Sequence, residues 1–519
     1  MTTSKEAASV LSTVQTVAVI GAGISGISAA AHLLRAGLSV TVFERSAASG
    51  GVWNYDPNPS LDTSYPNEKP SEGDYETSLP GQYAYRTPPP DTGYHRRRSQ
   101  TTKDDDAVSI SNEELAHAPP SACYAGLRNN IPLPLMSTSL ASYPSNEPDL
   151  GRWTTILEYI RGIARDSGVD AVTVYRTRVE EVKKGPVSWT IRTLTLDGAE
   201  GTNRWTERGW VFDAVVVASG HYHTPRIPDM PRLKDWKADF PDRIIHSKQY
   251  RTPESFRGRN VLLVGGGVSS GDIARELDGV ANKIYQSVRG GKFDLSASLL
   301  PESAERVASV EAFGPIAAGG TAGPDDHIPG HVQLLDGSVL SGIDNIVLAT
   351  GYLTSYPFLG HLHSDTAPLR SAGEELLVTA DGAMTHNLHK DIFYMPDPSL
   401  AFLGVPFHLS AFPTVDFQSQ VIARVFSGQA SLPTLAEMRD EYQRKVQQKG
   451  LGRDFHCYLH KAGELEYVAG LVGWVNQEAR ARGSSLEVKG HSDEWVAKYW
   501  QLRQDAKSVF DNPSAWGPE

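Results

Sequence analysis

Residues 16–44 read TVAVIGAGISGISAAAHLLRAGLSVTVFE, and this stretch decides the fold. It begins with a short β-branched run at 16–20, which predicts a buried parallel strand. The Ala- and Leu-rich run at 27–36 predicts a helix that ends at Gly37. A second predicted strand follows at 39–43. The order of strand, glycine loop, helix and strand is typical of a nucleotide-binding βαβ unit.

The first glycine loop, residues 21–26, carries the spacing GxGxxG in Gly21, Gly23 and Gly26. Such a turn directs backbone N–H groups and the positive end of a helix at one point, where a pyrophosphate satisfies both. Because glycine has no side chain, the pyrophosphate can approach the backbone closely. Glu44 ends the second strand, where it can accept hydrogen bonds from a ribose diol. Because every part is present, the segment predicts a dinucleotide site rather than a bare turn.

The same order recurs from residue 260, with predicted strands at 260–264 and 283–288 and a predicted helix at 273–277. The second glycine loop, residues 265–270, has Gly265 and Gly267 but Ser270 at the third position. Serine is still small enough for close packing of helix against strand.

No acid closes this second unit, where Ser287 and Arg289 stand instead. A carboxylate would repel a ribose 2′-phosphate, whereas Arg and Ser would hold one. The pattern therefore favours NADPH over NADH. The alternative, that Arg289 is an ordinary exposed charge, stays open.

Each unit also ends on a similar apolar run before glycine, at 212–220 and at 343–351. This internal symmetry predicts an α/β protein with two Rossmann-like dinucleotide-binding domains, the second inserted into the first. Further patterns predict a helix at 152–164 and strands at 172–182 and 189–196.

Composition excludes several other classes of protein. The chain has 519 residues and a formal net charge of −12, which argues against nucleic-acid binding because phosphates require a surplus of Lys and Arg. Its two cysteines, Cys123 and Cys457, cannot form a CxxC pair or a cysteine zinc site, and no His/Asp/Glu spacing predicts a metal. Without a signal-peptide pattern or 18 consecutive apolar residues, we expect a cytoplasmic protein with no membrane span.

Two regions lie outside this pattern. Residues 57–120 are rich in Pro, Ser, Thr, Asp and Gly, and are predicted to be an irregular, solvated insertion, with a lid beside the substrate entrance as the alternative. The polar tail after about residue 432 is predicted to be helical, for example at 435–448, and carries no recognisable chemical motif.

Several segments, taken in order, resemble the motifs of the flavin-containing monooxygenase family. The segment FPDRIIHSKQY at 240–250 resembles the family fingerprint FxGxxxHxxxY, with Asp242 where the fingerprint has glycine. The other matching segments are GGVW at 50–53, YAGLRNNIP at 124–132, ATGY at 349–352 and PSLAFLG at 398–404.

This resemblance implies FAD in an outer domain, residues 1–228 and 353–519, and NADPH in an inserted domain, residues 229–352. The FAD contacts that it implies are Gly21, Gly23, Gly26, Glu44, Val52, Trp53, Asn129 and Asn130. The NADPH contacts that it implies are Ser269, Ser270, Gly271 and Asp272, with Asn130 shared, and the pattern above adds Gly265, Gly267, Ser287 and Arg289.

The resemblance also implies the chemistry. NADPH would reduce the flavin, O₂ would add to form a peroxyflavin, and a nitrogen or sulfur nucleophile of a small molecule would take one oxygen. Asn130 is the predicted catalytic residue, because a neutral amide can donate to a peroxide oxygen without supplying a proton. Its alternative role is to cap a turn. His246, in the fingerprint, is predicted to join the domains rather than to act as a base.

The sequence leaves two other functions open and argues against a third. A Baeyer–Villiger monooxygenase acting on a ketone shares both loops, but its fingerprint ends in Trp where this chain has Tyr250. A disulfide reductase needs a close cysteine pair, which is absent from the sequence. A non-catalytic flavoprotein that senses redox state stays open, as do the substrate and a homo-oligomeric state.

Overall fold

The computed structural model describes residues 14–74, 112–197, 204–316, 323, 326–459, 462–484 and 487–505. The helices are α1 (Ile24–Arg35), α2 (Asn112–His117), α3 (Trp153–Asp166), α4 (Leu233–Asp239), α5 (Val268–Leu277), α6 (Ala411–Phe426), α7 (Leu435–Lys449), α8 (Gly463–Ala481) and α9 (Asp493–Asp505). The strands are β1 (Thr16–Ile20), β2 (Ser39–Phe43), β3 (Thr173–Val174), β4 (Thr177–Lys184), β5 (Trp189–Asp197), β6 (Arg204–Phe212), β7 (Ala214–Val217), β8 (Ile244–His246), β9 (Asn260–Val264), β10 (Lys283–Ser287), β11 (Ala304–Val307), β12 (Val310–Phe313), β13 (His331–Leu334), β14 (Val339–Ser341), β15 (Asn345–Leu348), β16 (Leu388–His389), β17 (Phe393–Tyr394) and β18 (Leu400–Phe402).

The first sheet has the order β16-β17-β18-β7-β1-β2-β3, and its strands from β18 to β3 run parallel. Alternate residues of β1 pack on opposite sides. Val17 and Val19 lie in the core formed with α1 and α6, whereas Ala18 and Ile20 pack toward the small sheet that contains Trp189. Because both faces are covered, β1 is an apolar run without polar alternation, as the sequence predicts.

The second sheet has the order β11-β10-β9-β15-β8 and is parallel throughout. All its strands lie between β7 and β16 in the chain, so this unit is inserted into the first. The predicted α/β fold with two Rossmann-like units, one within the other, is confirmed. Both helices that follow the glycine loops begin earlier than predicted, α1 at Ile24 and α5 at Val268.

Two predicted strands are each divided where the chain enters or leaves the small antiparallel sheet β4-β5-β6. The single strand expected at 172–182 is two strands, because Arg176 has φ of 53° and breaks the extended backbone between β3 and β4. The apolar run expected to begin at residue 212 is also divided, since β6 ends at Phe212 and β7 begins at Ala214. β6 itself was not predicted, because its segment RWTERGWVF mixes charged residues and a glycine among the apolar ones and shows no period-2 alternation.

Residues 57–74 of the insertion predicted at 57–120 contain no helix or strand, as predicted, but they are only partly solvated, and helix α2 (Asn112–His117) also lies within the predicted insertion. Asn67 is buried and exchanges backbone hydrogen bonds with Ile227. Asp74 is buried and accepts two hydrogen bonds from Arg45, at 3.0 and 2.9 Å, with Lys248 Nζ 3.4 Å away. These polar residues are satisfied within the fold, so a polar composition did not mean a solvated loop. Residues 75–111 lie outside the described residues.

The C-terminal tail begins with the predicted helix, α7, whose start carries a capping box between Thr434 and Glu437. Lys445 of α7 donates to both carboxylate oxygens of the buried Asp391, at 2.6 and 2.7 Å. Tyr458 donates to the same carboxylate at 2.8 Å. Burial alone would raise the pKa of Asp391, but Lys445 and His456 hold it well below its usual value. A buried ion pair therefore anchors the tail to the first domain.

Candidate active site

The first glycine loop is a turn that only glycine can build. Gly21 has φ of +103°, and a Cβ there would lie 2.7 Å from the carbonyl oxygen of Ala218. A Cβ at Gly26 would lie 1.8 Å from the oxygen of Gly21. The loop therefore keeps bare backbone in front of the start of α1, where the first N–H groups of the helix have no intrahelical partner. This cradle fits a pyrophosphate.

Glu44 lies at the predicted place, after β2. It is buried; one of its oxygens accepts from Ala22 N at 2.7 Å and the other from Ser46 N at 2.8 Å. A carboxylate oxygen has two lone pairs, so each can still accept a hydroxyl proton. Glu44 can thus hold the loop and bind a ribose diol at the same time.

The turn that carries Val52 and Trp53 lies against the first glycine loop. Gly50 N donates to Ala22 O at 2.9 Å, and a Cβ at Gly51 would lie 2.9 Å from the Cα of Gly23. Val52 is 39% exposed beside this contact, and Trp53 packs edge-on against Phe412 in α6. The structure therefore brings the two predicted flavin contacts to the predicted loop.

The adjacent residues Asn129 and Asn130 have different environments. Asn129 is buried, and its amide nitrogen donates to Ile131 O at 2.5 Å and to Asp149 O at 3.0 Å. Its Oδ1 accepts no hydrogen bond within the described part of the chain. Asn130 is exposed. Asn129 thus fixes the loop and can offer a ligand only an acceptor, whereas Asn130 presents a whole amide.

The second glycine loop repeats the build of the first. Gly265 N donates to the carbonyl of Ser287 at 2.8 Å, just as Gly21 N donates to Phe43 at 2.8 Å. Gly265 has φ of +128°, and a Cβ there would lie 2.3 Å from Ala349 O. The turn again leaves bare backbone before a helix, α5, so it also fits a pyrophosphate.

Some of the residues predicted to contact NADPH are exposed in the structure, and others are buried. Ser269 and Arg289 are exposed beside the second loop, whereas Ser270 is fully buried and accepts from Gln286 Nε2 at 2.6 Å. Gly271 is also buried within α5, where a Cβ would lie 3.1 Å from Leu295.

Ser287 requires a correction. Its side chain is buried, donates to Ala308 O at 3.0 Å and accepts from Val310 N at 3.0 Å. The hydroxyl proton is therefore already bonded inside the fold, and the expected contact of Ser287 with a 2′-phosphate has no donor. That expectation now depends on Arg289.

Sequence reasoning missed the contact that joins the two halves of the site. Tyr124 OH, from the first domain, donates to Asp272 in α5 at 3.0 Å. Within the inserted domain, Tyr250 OH donates to Glu276 on the next turn of α5 at 2.8 Å. Burial raises the pKa of Asp272, and the bond from Tyr124 acts against that rise. Both tyrosines are in the quoted motifs, which was the only signal that they mattered.

His246 lies inside the fold, and its two side-chain hydrogen bonds are to residues of the inserted domain. It is buried, its Nδ1 accepts from Lys248 N at 3.1 Å, and its Nε2 lies 3.0 Å from Gly351 O. Nε2 must therefore carry the proton and donate it. Burial lowers the pKa of His246 to about 3, which keeps the ring neutral. These contacts favour the structural role over that of a base.

The described residues offer neither a metal site nor a disulfide. They contain no group of three His, Cys, Asp or Glu side chains that could bind a metal. Both cysteines are buried and free. In the same ranges, no helix combines the length and apolar character needed to span a bilayer.

Comparison with known proteins gives a consistent family. Residues 120–300 and 331–478 match the model described as flavin-binding monooxygenase-like, and residues 16–54 match FAD dependent oxidoreductase. Flavin-containing monooxygenase ustF2 of Aspergillus flavus is 42% identical over 509 residues, which cover 94% of this chain and 97% of that relative. Flavin-containing monooxygenase iboF of Amanita muscaria is 30% identical, with 91% and 89% covered.

The solved structure of S-allyl-L-cysteine S-oxygenase from Allium sativum superposes with a TM-score of 0.61 at 23% identity, covering 95% of this chain and 99% of that one. This likeness supports the fold. The family model covers more than half of the chain, and the relatives are matched over almost their whole length. NADPH is the usual partner cofactor in this family. The chain therefore belongs to the flavin-containing monooxygenase family and is an FAD-dependent monooxygenase.

Proposed function

We propose that this enzyme oxidises NADPH with O₂ and transfers one oxygen atom to a nitrogen or sulfur nucleophile of a small molecule. In the balanced reaction, NADPH, a proton, O₂ and the substrate give NADP⁺, water and the oxygenated product. The observation that supports this most is the repeated loop: Gly21 and Gly265 make equivalent 2.8 Å backbone bonds before two separate helices. One chain thus offers two pyrophosphate cradles, one for each coenzyme.

The residues that would hold FAD are the first glycine loop, Glu44, the turn at Val52 and Trp53, and the segment of Asn129 and Asn130. Those that would hold NADPH are the second glycine loop with the exposed Ser269, and Asp272 and Arg289. Gly271 is buried and its N–H donates to Gly267 O at 3.1 Å, so it packs the helix instead. The exposed guanidinium of Arg289 favours the phosphorylated nucleotide, because it can donate two parallel hydrogen bonds to a phosphate.

Bound FAD would supply the hydride acceptor and the activation of O₂. The protein chain holds the reacting groups in position. Tyr124 ties the segment ahead of Asn130 to α5, while Trp153 holds the same segment through Leu127 O at 3.0 Å and Ala125 O at 3.2 Å. These bonds hold residues 124–127, just ahead of Asn130, in place between α5 and Trp153, and this supports the proposal that Asn130 contacts both coenzymes.

Asn130 is our proposed catalytic residue. Its amide can donate a hydrogen bond to a reacting oxygen, and it cannot release a proton in doing so. A side chain that did release a proton there would favour loss of hydrogen peroxide over oxygen transfer. The exposure of Asn130 supports this role, because the amide is not required by the fold.

The test is a product assay. Purified protein loaded with FAD should oxidise NADPH faster when an amine or a sulfide is added, with one oxygenated product, detected by mass spectrometry, for each NADPH oxidised. Ester formation from ketones, with no amine or sulfide product, would contradict the proposed nucleophile. A yellow protein that leaves NADPH untouched across all three compound classes would instead support a redox sensor.

Replacing Asn130 tests the mechanism. Asn130→Ala should retain FAD, while product formed per NADPH falls on the order of 10²-fold, as when one donor is removed from an oxyanion site. Hydrogen peroxide should account for the missing product. Asn129→Ala is the matched comparison, and should lower stability because it removes the bonds to Ile131 O and Asp149 O. An unchanged product yield in Asn130→Ala would refute the catalytic role.

A further inference from the structure

Arg453 is a cation whose charge the fold does not neutralise. It begins a short 3₁₀ helix, Arg453–His456, directly after Gly452, whose φ is +101°. Its side chain is exposed, and among the described residues no carboxylate lies within ion-pair distance of it. The neighbouring acid, Asp454, pairs with Lys292 at 3.2 Å. The guanidinium is therefore available to an external anion.

Two aromatic rings from different domains enclose this cation. Phe293 belongs to the inserted domain and lies 5.2 Å from the guanidinium carbon, while Phe407 follows β18 of the first sheet and lies 5.4 Å from it. The two rings contact each other edge-on at 6.1 Å, and His408 stacks on Phe293 at 4.8 Å. The guanidinium thus lies at the junction of the domains, with apolar surface around it.

This junction lies at the carboxyl ends of the parallel strands. Phe407 follows β18, and His221 and Tyr222 follow β7, its neighbour in the first sheet. Burial is the main cause that lowers the pKa of His221 to about 4, and the charges of His223 and Arg453 act in the same direction. Tyr222 is 52% exposed there. Ligands of open α/β sheets bind at this edge.

We propose that Arg453 binds a carboxylate of the substrate. The substrate class would be small molecules with a carboxylate near the nitrogen or sulfur nucleophile, such as amino acids, and this depends on the proposed oxygenation. A guanidinium matches a carboxylate through two parallel hydrogen bonds, while Phe293 and Phe407 can pack on the apolar part of the molecule. The second glycine loop and Arg289 already account for the phosphates of NADPH, which favours the substrate as the source of the anion.

The first test is binding, measured by calorimetry on the FAD-loaded enzyme. The probes are 3-phenylpropanoate and its neutral amide, 3-phenylpropanamide. The carboxylate should bind at least about 10-fold more tightly, as expected for a hydrogen-bonded ion pair. Arg453→Met keeps the apolar stem, and should remove this preference while FAD content stays normal. Arg453→Lys should retain part of it, and Arg444→Met, which removes an exposed charge from the same tail, should leave it unchanged.

The second test is turnover of S-methyl-L-cysteine and its methyl ester. In the native enzyme the free acid should have the lower KM, and Arg453→Met should raise that KM at least about 10-fold with no change in the KM for NADPH. Equal binding of both probes, or a raised KM for NADPH alone, would overturn the carboxylate site. Carboxylate binding without any NADPH oxidation would instead contradict the proposed function and leave the site standing.

Discussion

The first and second glycine loops of this protein share a backbone but differ in the side chains around it. In each loop the backbone N–H of the first glycine, Gly21 or Gly265, donates a 2.8 Å hydrogen bond to the carbonyl oxygen of the last residue of the following strand. Each of these glycines also abuts the carbonyl oxygen of an alanine, Ala218 or Ala349, just beyond a closing strand. The shared geometry is that of the pyrophosphate cradle, which requires bare backbone.

The differences lie at the third loop position and at the strand end. Gly26 has no room for a Cβ, whereas Ser270 occupies the equivalent place with its hydroxyl bonded to Gln286. Glu44 ends one strand and bonds the loop, whereas Ser287 ends the other and bonds the interior. The two loops thus share the backbone of the turn, whereas only the first strand ends in a side chain, Glu44, that bonds its own loop.

The largest effect should come from closing the first cradle. In Gly26→Ala the new Cβ would lie 1.8 Å from a carbonyl oxygen, so we expect colourless protein and a free energy of unfolding lower by about 3 kcal/mol. Flavin absorbance and chemical denaturation measure both. Gly267→Ala is the matched control, since nothing lies within 4 Å of its Cβ position. Equal tolerance of the two changes would remove the distinction between the loops.

The second-largest effect should come from replacing Glu44, an acid that has no counterpart at the second loop. Glu44→Gln loses the charge on an acceptor of two backbone N–H bonds and leaves an amide NH₂ facing one of these donors. The Kd for FAD should rise roughly 10- to 100-fold, as for loss of hydrogen bonds to a charged group. Reconstitution of the flavin-free protein measures it, with Glu158→Gln, exposed in α3, as the control. An unchanged Kd would mean that Glu44 does not bind the nucleotide.

A smaller effect is expected at the second loop, which has a cation in place of the acid. Arg289→Ala should raise the KM for NADPH about 10-fold and leave the KM for NADH unchanged, because only NADPH carries the 2′-phosphate. Steady-state kinetics with both nucleotides measure the ratio. Arg257→Ala removes another exposed charge of the inserted domain and should change neither KM. A parallel loss with both nucleotides would show that Arg289 does not recognise the phosphate.

The smallest effect should come from removing the hydrogen bond that joins Tyr124 of the first domain to Asp272 of the inserted domain. Tyr124→Phe removes the 3.0 Å hydrogen bond to Asp272, and should lower the free energy of unfolding by about 1 kcal/mol. Because that bond opposes the rise caused by burial, the pKa of Asp272 should increase further. A double-mutant cycle with Asp272→Asn, followed by chemical denaturation, isolates the pair. Additive effects would show that the two halves are not coupled here.

Local sequence predicted the parts of the site that depend on backbone. The glycines at 21, 23, 26 and 265 and the acid at Glu44 all lie where their spacing placed them, because a strand–turn–helix unit needs only adjacent residues. Predictions about single side chains succeeded less often. The hydroxyl of Ser287 points into the interior rather than toward the loop, because it donates to Ala308 O in a neighbouring segment. The hydrogen-bond partner of such a hydroxyl depends on which segment packs beside its strand.

The residues that sequence reasoning missed are those whose partners are distant in the chain. Residues 57–74 looked solvated, yet Asp74 is buried against Arg45 and Lys248. Nothing near Arg453 in the sequence shows that Phe293 and Phe407 enclose it. Composition averages over a segment, whereas burial of a charge depends on one particular partner.

By itself, then, the sequence determined the two βαβ units, their order and their glycine cradles, since these follow from hydrophobic pattern and from the need for bare backbone at a turn. Only the tertiary structure decided that Tyr124 joins Asp272, that Ser287 is internal and that Arg453 lies between two domains. The physical reason is that such contacts arise when residues far apart in the chain are packed together, and no local pattern records which partner each will meet.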